Sequence, residues 1–141
     1  MRGLLLFLIC LPLLANAQQS QRFGPYELHY SVVNTTFLDP KVAATYQITR
    51  GKDKAILNLA VREHLDEGTE ARPMQLKGRS WDLTGRGAAL EFQEVREGPA
   101  IYYIAQFEFS NEDWRHFEVF FRPAGATETY TFKHKHQLYE N

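Results

Sequence analysis

The chain has 141 residues, and its 16 lysines and arginines against 17 aspartates and glutamates give a formal net charge of -1. This balance excludes a strongly basic nucleic-acid-binding domain and implies no polyanionic or polycationic partner, because such partners require an excess of one charge.

Residues 1–17 have the pattern of a secretory signal peptide. Arg2 precedes an apolar run from Leu4 to Leu14, and Ala15-Asn16-Ala17 supplies the small residues of a cleavage site. The run has about 11 residues, whereas a helix that spans a bilayer needs about 20. We therefore expect cleavage after Ala17, a periplasmic or secreted mature protein, and no stable membrane anchor.

The mature chain, residues 18–141, is long enough for one domain with its own core. Cys10 is the only cysteine and lies in the apolar run of the signal peptide. The exported domain therefore has no disulfide, and its stability depends on the core alone.

Alternation of apolar and polar residues dominates the mature chain, beginning with Tyr26, Leu28 and Tyr30. Such alternation predicts half-buried strands. The seven predicted strands are 26–32, 55–62, 72–77, 89–95, 100–109, 116–121 and 127–136. Short strands at this spacing favour an all-β fold, an antiparallel β-sandwich of immunoglobulin-like type. Asp39-Pro40 predicts one short helix after the first strand, closed by Gly51.

A resemblance to a known family covers essentially the whole mature chain. Its most specific block is Phe23-Gly-x-Tyr-x-x-His-Tyr-x-x-x-Asn-x-Thr-Phe-Leu-x-Pro-x-Val-Ala-x-x-Tyr-x-Ile-x-Arg50. Later blocks follow at 57–61, 82–86, 101–107 and 130–132. These blocks resemble the bacterial domain-of-unknown-function family 4426 (DUF4426). The resemblance implies an exported protein of Gram-negative bacteria with a β-sandwich fold and no established activity, substrate or catalytic residue.

The loop and short helix after the first strand are one candidate partner-binding surface, with Phe37, Tyr46 and Arg50 as its candidate residues. Binding residues often lie on loops that a rigid scaffold positions. The structural alternative is that the helix closes one end of the sandwich. In that case Phe37 and Tyr46 belong to the core, and Arg50 caps the last carbonyls of the helix.

His134 and His136 are weak candidates for a metal site. At positions i and i+2 of a strand they project to one face about 7 Å apart, which allows both imidazoles to bind one zinc or copper ion. A third ligand is required, and the candidates are His29, His64, His116, Asp113 and Met74. The alternative favoured here is that both histidines continue the apolar face of Tyr130 and Phe132, so no metal or other cofactor is expected.

The sequence contains no recognisable catalytic motif. Ser20, Ser31, Ser80 and Ser110 stand in no nucleophile-elbow context. Gly85-Arg86-Gly87 lacks the lysine and helix that a phosphate-binding loop requires. We therefore expect that the protein is not an enzyme.

A second apolar face is the other candidate partner-binding surface. Tyr102 and Ile104 lie opposite the core side of strand 100–109, and Phe120 is outward on the next strand. If these strands form a hairpin, the three side chains make one patch for a partner or a second copy. The sequence therefore favours a non-catalytic binding or assembly module whose partner is an unknown envelope protein or itself. The alternative function is metal binding or metal trafficking through the strand histidines.

Overall fold

The computed structural model describes residues 19–141. The predicted signal peptide, residues 1–17, lies outside the described residues. No helix within 19–141 is long and apolar enough to cross a membrane.

Ten β-strands and two short helical segments make up the described chain. The strands are β1 Gln19–Phe23, β2 Tyr26–Asn34, β3 Lys54–His64, β4 Thr69–Arg72, β5 Met74–Trp81, β6 Gly87–Leu90, β7 Phe92–Glu97, β8 Ala100–Glu108, β9 Asp113–Pro123 and β10 Tyr130–Leu138. A 3₁₀ turn, Thr35–Phe37, and helix α1, Pro40–Thr45, follow β2.

The strands form two antiparallel sheets. The first sheet has six strands in the order β1-β2-β3-β8-β7, with β4 paired to the C-terminal half of β3. The second sheet has four strands in the order β10-β9-β5-β6. Pro73 lies between β4 of the first sheet and β5 of the second, at a point where the chain crosses from one sheet to the other.

The core lies between the two sheets, as the alternation predicts. Leucines of β2 and β3 meet the phenylalanines of β9 and β10, and the largest fully buried side chains include Phe117, Phe121 and Phe132. On the core side, β8 is buried at Ile101, Tyr103 and Ala105, and β9 is buried at every second residue from Arg115 to Pro123. The predicted all-β sandwich is confirmed, with ten strands instead of about seven, while the immunoglobulin-like subtype stays a prediction.

The predicted helix is confirmed, although its end is not where the sequence places it. The Asp39 carboxylate accepts a hydrogen bond from the Lys41 backbone N–H at 2.7 Å, which caps the N-terminus of α1. The helix ends at Thr45, and Gln47 adopts a left-handed φ of 58°. Gly51 therefore does not close the helix.

Candidate functional site

Helix α1 covers part of the outer face of the six-stranded sheet. Ala43 of the helix and Ile48 beyond it form a small buried cluster with Ile56 of β3, and Ile104 of β8 packs against this cluster. Ile104 is therefore in contact with the domain itself. The segment therefore has the structural role given above as the alternative to partner binding. The helix covers the outer face of a sheet, however, and does not close one end of the sandwich.

The three loop and helix candidates do not share one environment. Tyr46 packs against the Ala43 cluster, and its hydroxyl donates a hydrogen bond to the Glu97 carboxylate. The Arg50 guanidinium donates to the backbone carbonyls of Thr35 and Thr36, so it holds the 3₁₀ turn and not the end of α1. Phe37 is 73% exposed and is not a core residue.

The predicted hairpin of β8 and β9 is wrong. Strand β8 pairs with β3 and β7 in the first sheet, whereas β9 pairs with β10 and β5 in the second. Tyr102 and Ile104 therefore face out from one sheet and Phe120 faces out from the other. The three residues cannot form one patch, and Phe120, which is 43% exposed, belongs to a different surface.

His134 and His136 lie on the inward side of β10, next to the aromatic core. The His134 ring is 4.9 Å from the Tyr30 ring and 5.7 Å from the His136 ring, measured between centroids. Burial lowers the pKa of both histidines, and the charge of His136 adds to the effect on His134. Both imidazoles therefore favour the neutral form that a metal ion requires.

The structure brings none of the five third-ligand candidates to this pair. Asp113 is engaged by Arg115 at 3.0 Å, and Arg115 is the cross-strand partner of His136. His116 faces the opposite side of the second sheet, against Trp81. Within residues 19–141, no three His, Cys, Asp or Glu side chains are arranged to hold a metal ion.

His29 and His64 belong to a carboxylate cluster on the outer face of the first sheet. His64 lies 2.7 Å from the Glu27 carboxylate, and His29 lies 3.9 Å from its other oxygen. A hydrogen bond from Ser20 and the contact with His64 lower the pKa of Glu27. The remaining candidate, Met74, is buried, and its backbone N–H donates to the Tyr103 hydroxyl.

The lowered histidine pKa values predict a pH-dependent stability. The unfolded chain takes up protons on His134 and His136 as the pH falls through about 6.5, before the folded protein does. The free energy of unfolding should therefore decrease between pH 7.5 and pH 5.5, a range in which ordinary carboxylates stay ionised. Urea unfolding at both pH values measures this decrease, which should be smaller in His134→Phe. Equal decreases in the two proteins would contradict the prediction.

A cleft between β5, β7 and β9 contains the Glu94 carboxylate. The Tyr103 hydroxyl donates a hydrogen bond to Glu94 at 2.6 Å, and this bond is the main cause of the lowered pKa of Glu94. Burial in turn raises the pKa of Tyr103. A general acid or base works best with a pKa near the operating pH. Both groups are shifted away from that range, so the cleft has the features of a structural contact.

The outer face of the second sheet carries a cluster of positive charge, which we call the basic face. The outward positions of β5, β9 and β10 include five lysines or arginines and one glutamate, Glu118. The cations are Lys77, Arg79, Arg122, Lys133 and Lys135. Because the whole chain has a net charge of -1, positive charge is concentrated on this face.

The strand register places the side chains of the basic face in rows. Arg79, Glu118 and Lys133 lie side by side, with Glu118 4.0 Å from Arg79 and 3.8 Å from Lys133. In the next row Trp81 stacks on His116 at 5.3 Å, and the Arg79 guanidinium lies 4.3 Å from the Trp81 ring centroid. Cations and aromatic rings therefore lie next to one another on this face.

Three shallow depressions follow one another on the basic face. The central one has a volume of about 330 Å³ and contains Lys77, Arg79, Trp81 and Phe120 in its wall. A depression of about 280 Å³ shares Trp81 with it, and one of about 210 Å³ shares Lys77 and Phe120. The face thus offers neighbouring concave sites and not one deep pocket.

Of the residues of the basic face, only Phe120 and His116 are candidate site residues from the sequence alone. The signal was present in Lys77-x-Arg79 and Lys133-x-Lys135, since residues at i and i+2 of a strand share a face. To place these two pairs on one surface, one must know which strands are neighbours in the sheet. The sequence pattern does not show that.

The fold and the basic face together define an all-β sandwich protein with one uncovered, cation-rich sheet. The family model for DUF4426, a domain of unknown function, matches residues 20–141, so the chain belongs to that family. No curated protein matches the chain.

Solved structures with the same fold include a family relative. A DUF4426 family protein from Pseudomonas aeruginosa PAO1 is 31% identical, with a TM-score of 0.77 over 89% of this chain and 98% of that one. FetP of uropathogenic E. coli strain F11, expressed in the periplasm, is 10% identical, with a TM-score of 0.63 over 89% of this chain and 95% of that one. A copper-bound FetP variant matches equally well, with 97% of its chain covered.

Proposed function

We propose that the protein is an exported, non-catalytic binding module that acts in the periplasm through its basic face. Export is supported by the signal-peptide pattern of residues 1–17. The non-catalytic assignment is supported by the roles of the buried polar groups. The buried Arg115 guanidinium donates to Ser80 on the neighbouring strand and to Asp113 on its own strand. The buried Tyr103 donates to the exposed Glu94 on the next strand, so these groups link strands together.

The observation that carries the proposal is the segregation of charge. All five cations of the basic face are solvent-exposed side chains, and the one carboxylate of residues 19–141 within 4.0 Å of any of them is that of Glu118, which lies 4.0 Å from Arg79 and 3.8 Å from Lys133. Lys77 and Arg79 project from the same side of one strand, as do Lys133 and Lys135 of another, so the exposed like charges of each pair repel one another. A binding partner of opposite charge relieves that repulsion. The cluster does not stabilise the fold, so binding such a partner is the function it supports.

Sedimentation with cell-envelope fractions tests the proposed function. The mature protein should be retained with an envelope fraction of its host at low salt, and the double variant Arg79→Glu/Lys133→Glu should not. The matched control is Lys41→Glu/Lys52→Glu, which reverses two exposed charges outside the basic face. Loss of retention in both double variants would contradict the proposal. So would the absence of retention of the wild-type protein.

A second candidate function is metal binding at His134 and His136. The observation that favours it is the proximity of two neutral imidazoles, 5.7 Å apart between ring centroids. FetP, which shares the fold at 10% identity, has been solved with copper bound. Two histidines without a third ligand make an open site, and the Arg115 guanidinium on the neighbouring strand repels a cation.

The geometry predicts weak binding of zinc and copper, with a dissociation constant no tighter than about micromolar. Titration calorimetry on the mature protein measures this constant. Replacing either histidine with alanine should raise this dissociation constant only slightly, because each variant removes one of two weakly bound ligands. A stoichiometric nanomolar site that disappears in His134→Ala and in His136→Ala would overturn the prediction and favour metal trafficking.

A further inference from the structure

We propose that the ligand of the basic face is a linear acidic polysaccharide in which successive sugars carry a carboxylate. This inference rests on the proposed function, because it names the class of ligand for the same surface. Its basis is the repetition of the same two elements, cations and an aromatic ring, in each of the three depressions.

Each of the three depressions contains two cations and an aromatic ring, and two of the three also contain Glu118. The first contains Lys77 and Arg122 beside Phe120, and the central one contains Lys77 and Arg79 between Phe120 and Trp81. The third contains Lys133 and Lys135 beside Trp81. Since neighbouring depressions share wall residues, they form one continuous track. A repeated site with a cation pair and a ring fits a polymer whose repeat has a ring and an anionic group.

The two aromatic residues of the track contribute differently to sugar binding. Phe120 is 43% exposed and lies against the sheet surface around it, so its ring can stack on the C–H side of a pyranose. The Trp81 ring already stacks on His116 and has the Arg79 guanidinium 4.3 Å from its centroid, so it holds that cation in place beside the ligand. Rings held against a sheet in this way do not project as membrane anchors do, which disfavours an anionic lipid surface.

The charge density of the basic face favours a polysaccharide over a nucleic acid. Single-stranded nucleic acid is also a chain of rings and anions, and proteins that bind it combine aromatic platforms with strongly basic grooves. Here Glu118 lies in the middle of the face, and the chain as a whole has a net charge of -1. A polymer with one carboxylate per sugar matches a face of modest excess charge.

Titration calorimetry with defined oligomers tests the proposal on the mature protein. The probes are oligomers of galacturonic acid from monomer to hexamer, the neutral glucose oligomer maltohexaose, and a thymidine oligonucleotide of matched length. The galacturonate oligomers should bind, with affinity that rises up to about the trimer and then levels off, because the track has three depressions. Added salt should weaken this binding, and maltohexaose should not bind.

Variants of the basic face should change the affinity in opposite directions. Arg79→Ala and Lys133→Ala should each weaken binding of the hexamer about threefold, and Phe120→Ala about fivefold. Glu118→Gln should tighten it, because the variant removes the one carboxylate that repels the ligand and engages Arg79. The matched control, Lys41→Ala, should leave the affinity unchanged.

The outcomes separate this proposal from the proposed function. Equal or tighter binding of the oligonucleotide at the same residues would overturn the polysaccharide while leaving a binding module. So would the absence of galacturonate binding in a protein whose retention on envelope fractions depends on Arg79 and Lys133. If that retention is absent as well, both proposals fail. Weaker binding in Glu118→Gln would also overturn the polysaccharide proposal, because a ligand that gains from Glu118 is not a polyanion.

Discussion

Replacing Phe121 with alanine should lower the free energy of unfolding by about 3 to 5 kcal/mol, as truncation of a buried aromatic side chain does. Phe121 has no exposed area and packs edge-on against Phe23, with ring centroids 5.0 Å apart, and against Tyr130 at 5.6 Å. The side chain therefore joins β9 to β1 and β10 across the core. Urea unfolding followed by circular dichroism measures the effect.

Phe120 provides the matched control for this prediction because it is the preceding residue on the opposite side of β9. Its side chain is 43% exposed, so Phe120→Ala should change the free energy of unfolding by less than about 1 kcal/mol. The milder variant Phe121→Leu keeps the experiment informative if the alanine variant does not fold. Similar decreases in the free energy of unfolding for Phe120→Ala and Phe121→Ala would contradict the assignment of one face of β9 to the core and the other to the solvent.

Most of the fold could be predicted from the sequence because alternation reports which side of a strand is buried. Strands β2, β3, β8 and β9 each place a run of alternate apolar residues on the core side. The two missed strands, β1 and β4, have exposed or half-exposed side chains. They form through backbone pairing with β2 and β3, which leaves no mark in hydrophobic periodicity.

Sheet membership could not be predicted because it depends on where the chain crosses between sheets. The apolar stretch 89–95 was expected to be one strand, but Glu91 separates β6 in the second sheet from β7 in the first. A similar crossing joins β8 to β9. Consecutive strands pair in only about two thirds of cases. The error placed Phe120 beside Ile104 and hid its true neighbours, Lys77 and Thr131.

The candidate site was only partly predictable for a related reason. A net charge near zero excludes a basic protein but does not show where each charge lies. In the sequence, Lys133 and Lys135 alternate with the weak metal-site candidates His134 and His136. In the structure the histidines face the core and Lys133 and Lys135 face outward, beside Glu118 and His116. For the candidate site, the two lysines of this segment are therefore more informative than its two histidines.

Replacing Thr35 with valine should lower the free energy of unfolding by about 2 kcal/mol, the cost of leaving buried backbone groups unpaired. The Thr35 side chain has no exposed area. Its hydroxyl accepts from the Gly51 N–H at 3.0 Å and lies 2.9 Å from the Lys54 carbonyl, to which it donates. Valine keeps the shape of the side chain but removes these bonds, so the loop that carries α1 loses its connection to β3.

Thr36→Val is the matched control, because valine there removes a hydroxyl that has no partner within residues 19–141. The Thr36 Oγ1 atom is buried without a hydrogen bond, and burying an unpaired hydroxyl is unfavourable. This variant should be neutral or more stable by up to about 1 kcal/mol. Thr35→Ser, which keeps the hydroxyl, should retain more stability than Thr35→Val. If Thr35→Val and Thr36→Val have the same effect, the hydroxyl of Thr35 does not anchor the loop, and packing alone holds α1 on the sheet.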